Sequence, residues 1–156
     1  MKLLFICTHN RCRSIIAEAV CNSLGADALE ARSAGSQPAG EVHPLSLRYL
    51  QEAGISIDGL RSQSWDDYED WRPDMVITVC DQAAGEQCPI WFNRSPRVHW
   101  GLKDPSRIEG TEEEVAAAFR HTIERLHGRL EQVLAAGPAS LDSEQLLALC
   151  KRLGES

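Results

Sequence analysis

No long apolar run occurs anywhere in the 156 residues. Leu3–Ile6 is too short for the core of a signal peptide, and no stretch approaches the roughly 20 residues that cross a bilayer. The chain therefore reads as cytoplasmic, with no membrane partner. A basic excess is also missing, since 16 Lys and Arg stand against 23 Asp and Glu, for a net charge of −7. A phosphate backbone calls for a basic face, so nucleic acid is excluded as the main partner. A small anion is not excluded, because it needs only a local pocket of donors. There is no Cys-x-x-Cys pair, and the five histidines are scattered without ligand spacing, so neither metal nor cofactor is expected. Internal repeats and low-complexity segments are absent as well.

What is present fits one globular domain. A chain of this length buries roughly two-thirds of its unfolded surface, and 43% hydrophobic with 25% charged residues is ordinary for such a domain. The six cysteines, Cys7, Cys12, Cys21, Cys80, Cys88 and Cys150, read as reduced in that compartment. They are buried, catalytic or ligating before they are a disulfide framework.

Strand and helix patterns alternate. "KLLFI" is a short strand, "SIIAEAVCNSL" a helix ending at Gly25, and "EARSAGSQPAG" a strand running into a Gly/Pro-rich loop. "HPLSLRYLQEAG" is a helix with proline near its start and Gly54 as its stop. "DMVITVC" is a continuous β-branched run, as expected of a strand covered on both faces. "RVHWGL" is a further strand, followed by the turn signal "KDPS". The longest helix begins after Thr111, a fitting cap with acidic residues behind it. The alternation predicts an α/β fold of three layers, a four-stranded parallel sheet with helices on both faces, over residues 1–136. Residues 137–156 form a helical extension that either packs on the domain or serves a partner.

Ligands of such sheets bind at the C-terminal ends of the strands. The first strand ends on Cys7, the third on Cys80, and the fourth leads within a few residues to Asp104. The topology thus predicts that these three converge at one rim.

The densest chemistry lies in "FICTHNRCRS". Cys7 stands where a strand stops, and Arg13 and Ser14 stand where a helix starts. The loop between them, Thr8, His9, Asn10, Arg11 and Cys12, offers backbone N–H groups that, with the first helical turn, form a nest for a tetrahedral oxyanion. Arg13 adds a planar fork of donors. The same positive surroundings favour the thiolate of Cys7. A lone cysteine here would be read as core, but the Arg and Ser at this spacing argue for nucleophile and anion cradle in one device.

These residues resemble the low-molecular-weight tyrosine phosphatase fold. "CTHNRCRS", "RSAGSQPAG" and the "DP" of "GLKDPS" occur in that family's order over roughly residues 2–135. The resemblance implies Cys7 as nucleophile, Arg13 as oxyanion clamp and Asp104 as general acid. It also implies Asn10 as the residue that holds the cradle in shape and Ser14 as the hydroxyl bonded to the nucleophile. Glu18, Ser33 and Asp66 resemble positions that hold a monovalent cation in some relatives.

The fold carries two chemistries, phosphoester hydrolysis and arsenate reduction. Phosphate and sulfate compete with arsenate for such a cradle, so shape does not separate them. Reduction requires further thiols. Cys12 has counterparts in phosphatases, Cys21 falls on the apolar stripe of its helix, and Cys150 lies in the extension. Cys80 and Cys88 bracket the polar segment "DQAAGEQ" and resemble the redox relay of the arsenate reductases of this fold. Ser106 stands where the phosphatase branch usually shows tyrosine after its Asp-Pro. The resemblance thus implies an arsenate reductase with a Cys7–Cys80–Cys88 relay, regenerated by thioredoxin or by glutaredoxin with glutathione. The alternative is a phosphatase working through a Cys7 phospho-enzyme.

Overall fold

The computed structural model describes residues 1–25, 28–80 and 95–155. β1 (Lys2–Ile6), β2 (Glu30–Ala34), β3 (Met75–Thr78) and β4 (Arg97–His99) form one parallel sheet in the order β2-β1-β3-β4. α1 (Arg13–Gly25) joins β1 to β2, and α2 (Pro44–Glu52) lies between β2 and β3. α3 (Glu112–Ala135) and α4 (Ser143–Gly154) follow β4, and short 3₁₀ turns occupy Trp65–Trp71 and Pro105–Arg107. The α/β architecture expected from the alternation is the one observed.

Position in the sheet explains the sequence of each strand. β3 lies inside the sheet and every residue from Met75 to Thr78 is buried, so its apolar run has no polar alternation. β4 is an edge strand, and there Arg97 and His99 are exposed around buried Val98. α1 sets Ile15, Ile16, Ala19, Val20 and Cys21 into the core and packs on β1, β2 and α3. The Thr111 hydroxyl accepts from the Glu114 N–H at 3.2 Å, and three glutamates fill the first turn of α3, where they offset the helix dipole. No helix among the described residues is long and apolar enough to cross a membrane.

The C-terminal helix packs on the domain. Leu146, Leu149, Cys150 and Leu153 of α4 are buried, and the helix lies against β4. The fully buried Trp100 donates its indole N–H to the Cys150 carbonyl at 2.8 Å. At Gly154 a Cβ would stand 2.6 Å from the His99 carbonyl oxygen, so a residue without one lets helix and strand come together. α4 thereby shields a sheet edge that would otherwise offer unpaired backbone groups.

Gly35 follows β2 and lies against the loop after β1. A Cβ there would collide with the carbonyl oxygens of Cys7 and Thr8. Gly35→Ala is expected to cost about 1–3 kcal/mol by overpacking, a fall of roughly 2–12 °C in Tm for a chain of this size. Gly128→Ala, in open space within α3, should raise Tm instead, because alanine is the better helix former. Thermal unfolding of the two variants beside wild type checks both signs.

Candidate active site

The loop between β1 and α1 is held from outside by its carbonyl groups. The Thr8 carbonyl accepts from Gln37 N at 2.9 Å, that of His9 from Ala39 N at 2.9 Å, and that of Arg11 from His43 N at 3.0 Å. In a trans peptide the following N–H points the opposite way. The N–H groups of His9, Asn10 and Cys12 are therefore turned to the concave side, and that of His9 is directed at the Cys7 sulfur. Peptide N–H groups converging in this way have the arrangement of an anion nest.

Asn10 makes the turn possible. Its φ of 44° lies in the left-handed region, which asparagine tolerates better than most residues. Its buried side chain accepts from Gln63 N at 2.7 Å and donates to Ser14 Oγ at 2.9 Å. The Ser14 hydroxyl oxygen thus accepts from Asn10 and keeps its own proton to donate. Asn10 and Ser14 stand behind the cradle and fix its shape.

In front of it is a cavity of about 150 Å³. Cys7, Thr8, His9, Arg11, Cys12 and Arg13 line it from the loop, Cys80 from the end of β3, and Asp104, Ser106 and Arg107 from beyond β4. The predicted convergence of Cys7, Cys80 and Asp104 at one rim is what the structure contains. Cys88 lies outside the described residues, as does the rest of 81–94.

Arg13 spans the cavity. Its Nη1 donates to the Leu102 carbonyl at 2.9 Å, and its Nη2 lies 3.6 Å from Asp104 Oδ2. Its Nε is buried and makes no hydrogen bond among the described residues. A buried N–H without an acceptor is costly, and here it belongs to the guanidinium beside the nest. Asp104 caps the turn at 105–107, accepting at Oδ1 from Ser106 N at 2.9 Å and from Ser106 Oγ at 2.6 Å. Arg107 Nε lies 3.6 Å from Asp104 Oδ2.

Arg13 and the His9 N–H favour the Cys7 thiolate, and two other influences oppose them. Cys80 beside it, and then burial, push the Cys7 thiol far above the ordinary cysteine range, against Arg13 and the His9 N–H. The physical reason is that two adjacent thiols hold a shared proton and do not both ionise readily. Cys80 is buried, with its sulfur 3.7 Å from the Thr8 hydroxyl. Burial raises Cys12 to about 11, with the Ser46 hydroxyl opposing it, and raises Cys21 to about 12 and Cys150 to about 11.

Of the cation-like set, Ser33 donates to buried Glu18 at 2.6 Å, whereas Asp66 is exposed. Among the described residues no group of three or more His, Cys, Asp and Glu could hold a metal.

Sequence reasoning missed three parts of the site. Arg107 shares a turn with Asp104, and its i+3 spacing was the available signal. The Leu102 carbonyl and Gln63 N–H are backbone groups and leave no mark in the residue types.

Residues 2–146 match the family described as low molecular weight phosphotyrosine protein phosphatase. An arsenate reductase of Halalkalibacterium halodurans is 35% identical over 135 residues, 86% of this chain and 96% of that protein. A glutaredoxin arsenate reductase of a Synechocystis species is 31% identical over 134 residues, again 86% and 96%. The solved thioredoxin-dependent arsenate reductase of Corynebacterium glutamicum superposes with a TM-score of 0.68 at 31% identity. That match covers 90% of this chain and 63% of the longer one.

Proposed function

The chain belongs to the low molecular weight phosphotyrosine protein phosphatase family, and from that footing we propose that it reduces arsenate to arsenite. The observation that carries the reading is the second sulfur, Cys80, in the same cavity as Cys7, Arg13 and Asp104. Phosphoester hydrolysis uses only the last three and gives Cys80 no task.

The Cys7 thiol gives its proton to an oxygen of the arsenate dianion and attacks arsenic as the thiolate, while the nest, formed over residues Thr8 to Ser14, and Arg13 hold the remaining oxygens. Asp104 gives its proton to the departing oxygen, which leaves as water. Cys80 then attacks the Cys7 sulfur, its thiol proton passing to an arsenic-bound oxygen. A disulfide forms, the S–As bond breaks, and its electron pair stays on arsenic, which leaves as arsenite. Two thiols are oxidised and As(V) becomes As(III). Cys88 next attacks Cys80, freeing Cys7, and the Cys80–Cys88 disulfide is reduced by thioredoxin. The soluble relay needs no membrane and acts in the cytoplasm. Thioredoxin is favoured because two protein thiols beyond the nucleophile suffice to carry the disulfide outward, whereas a glutathione and glutaredoxin route does without the third cysteine.

The test supplies arsenate and NADPH with either thioredoxin and its reductase or glutathione, glutaredoxin and glutathione reductase. Wild type is expected to turn over with the thioredoxin set, and Cys88→Ser to release one equivalent of arsenite and stop. Sustained thioredoxin-driven turnover by Cys88→Ser removes the relay. Turnover with the glutathione set alone moves the protein to the other reductant. No arsenite from reduced wild type in either arm, with hydrolysis of an aryl phosphate intact, makes it a phosphatase.

A further inference from the structure

We propose that Ser106 is a positioning residue that decides which oxygen of Asp104 carries the transferred proton. The role rests on the acid function proposed above for Asp104. A free carboxyl group is two-fold symmetric, and its proton can sit on either oxygen. Here the two oxygens are not equivalent. Oδ1 accepts from both the N–H and the hydroxyl of Ser106, at 2.9 and 2.6 Å. Two donors occupy the two lone pairs of that oxygen, and the backbone N–H cannot turn away to accommodate a proton in its path. The proton is therefore confined to Oδ2.

Oδ2 is the oxygen on the side of the anion clamp. Arg13 Nη2 and Arg107 Nε each lie 3.6 Å from it, beyond ordinary hydrogen-bond length. It keeps lone-pair capacity that Oδ1 has lost, and it belongs to a side chain lining the same cavity as Cys7. As the S–As bond forms and an As–O bond breaks, the Oδ2 proton passes to the departing oxygen and water leaves.

A carboxylate accepting from the N–H two residues on is a common turn device, and any residue other than proline at 106 could supply that bond. The hydroxyl contact is different. It comes from the side chain and is the shorter of the two.

Single-turnover release of arsenite, with the reduced full chain and excess arsenate and no added reductant, tests this. General acids are worth about 10²–10⁴-fold, and a misdirected proton forfeits part of that. Ser106→Ala is expected to slow arsenite release about 10-fold at saturating arsenate, with the half-saturating concentration unchanged within about 2-fold. Ser106→Gly, which also keeps the amide donor, should show the same loss, and Ser106→Thr should recover to within about 2-fold of wild type. Asp104→Asn combined with Ser106→Ala should be no slower than Asp104→Asn alone. A wild-type rate in Ser106→Ala or Ser106→Gly, no recovery in Ser106→Thr, a shift confined to half-saturation, or multiplying losses in the double variant each overturns the proposal. A full rate in Asp104→Asn overturns it together with the acid role itself, and so separates the two failures.

Discussion

Arg13→Lys is expected to lower kcat/KM for arsenate by about 10²–10³, the usual effect of losing one preorganised oxyanion donor. The charge is kept, so the loss comes from geometry. One planar guanidinium gives Nη1 to the Leu102 carbonyl, brings Nη2 towards Asp104, and leaves a buried Nε beside the nest. An ammonium group is a point charge with no fixed fork, and it cannot keep the Leu102 anchor while meeting two oxygens of one anion. Steady-state kinetics with arsenate as the varied substrate checks the magnitude. A loss below 10-fold would mean that Arg13 acts only as a positive charge. Arg107→Lys serves for comparison, because Arg107 is largely exposed and its loss should be small.

Cys80→Ser is expected to abolish arsenite release while leaving Cys7 able to react. Without Cys80, Cys12 is the only other thiol among the described residues that lines the cavity, and burial raises it to about 11. Quenched single turnovers should give less than about 1% of the wild-type arsenite, the scale of removing a covalent participant rather than adjusting one. A second readout follows from the shared proton. Cys80 is the largest influence holding the Cys7 thiol in its neutral form, whereas Arg13 and the His9 N–H favour the anion. Removing Cys80 lifts the first influence and leaves the others, so the pH at which Cys7 is half-alkylated by iodoacetamide should move down. Movement upward, or wild-type arsenite yields, would show that the two sulfurs do not act together.

Those two effects came from different levels of information. The order of strands and helices was legible because β3 is apolar throughout and α3 carries its cap and acidic first turn in consecutive residues. Cys7, Arg13 and Ser14 were legible because a strand end and a helix start fix their separation. Asp104 was legible as the residue beyond β4. The state of Cys7 was not, because its strongest neighbour is 73 positions away in the sequence and meets it only through the pairing of β1 with β3. The bond from Asn10 to the Ser14 oxygen was not legible either, because it depends on a side chain turned inward by a left-handed backbone. The two donors of Ser106 on one oxygen follow from the tightness of a 3₁₀ turn, which residue types do not announce.

The cradle owes its inward-facing amides to partners at Gln37, Ala39, His43 and Gln63, none of which exists near Cys7 until the chain has been made well past the middle of the third strand's approach. On a growing or unfolded polypeptide the first cysteine is an ordinary thiol among others. Its place inside a ring of inward-facing amides is a product of tertiary assembly.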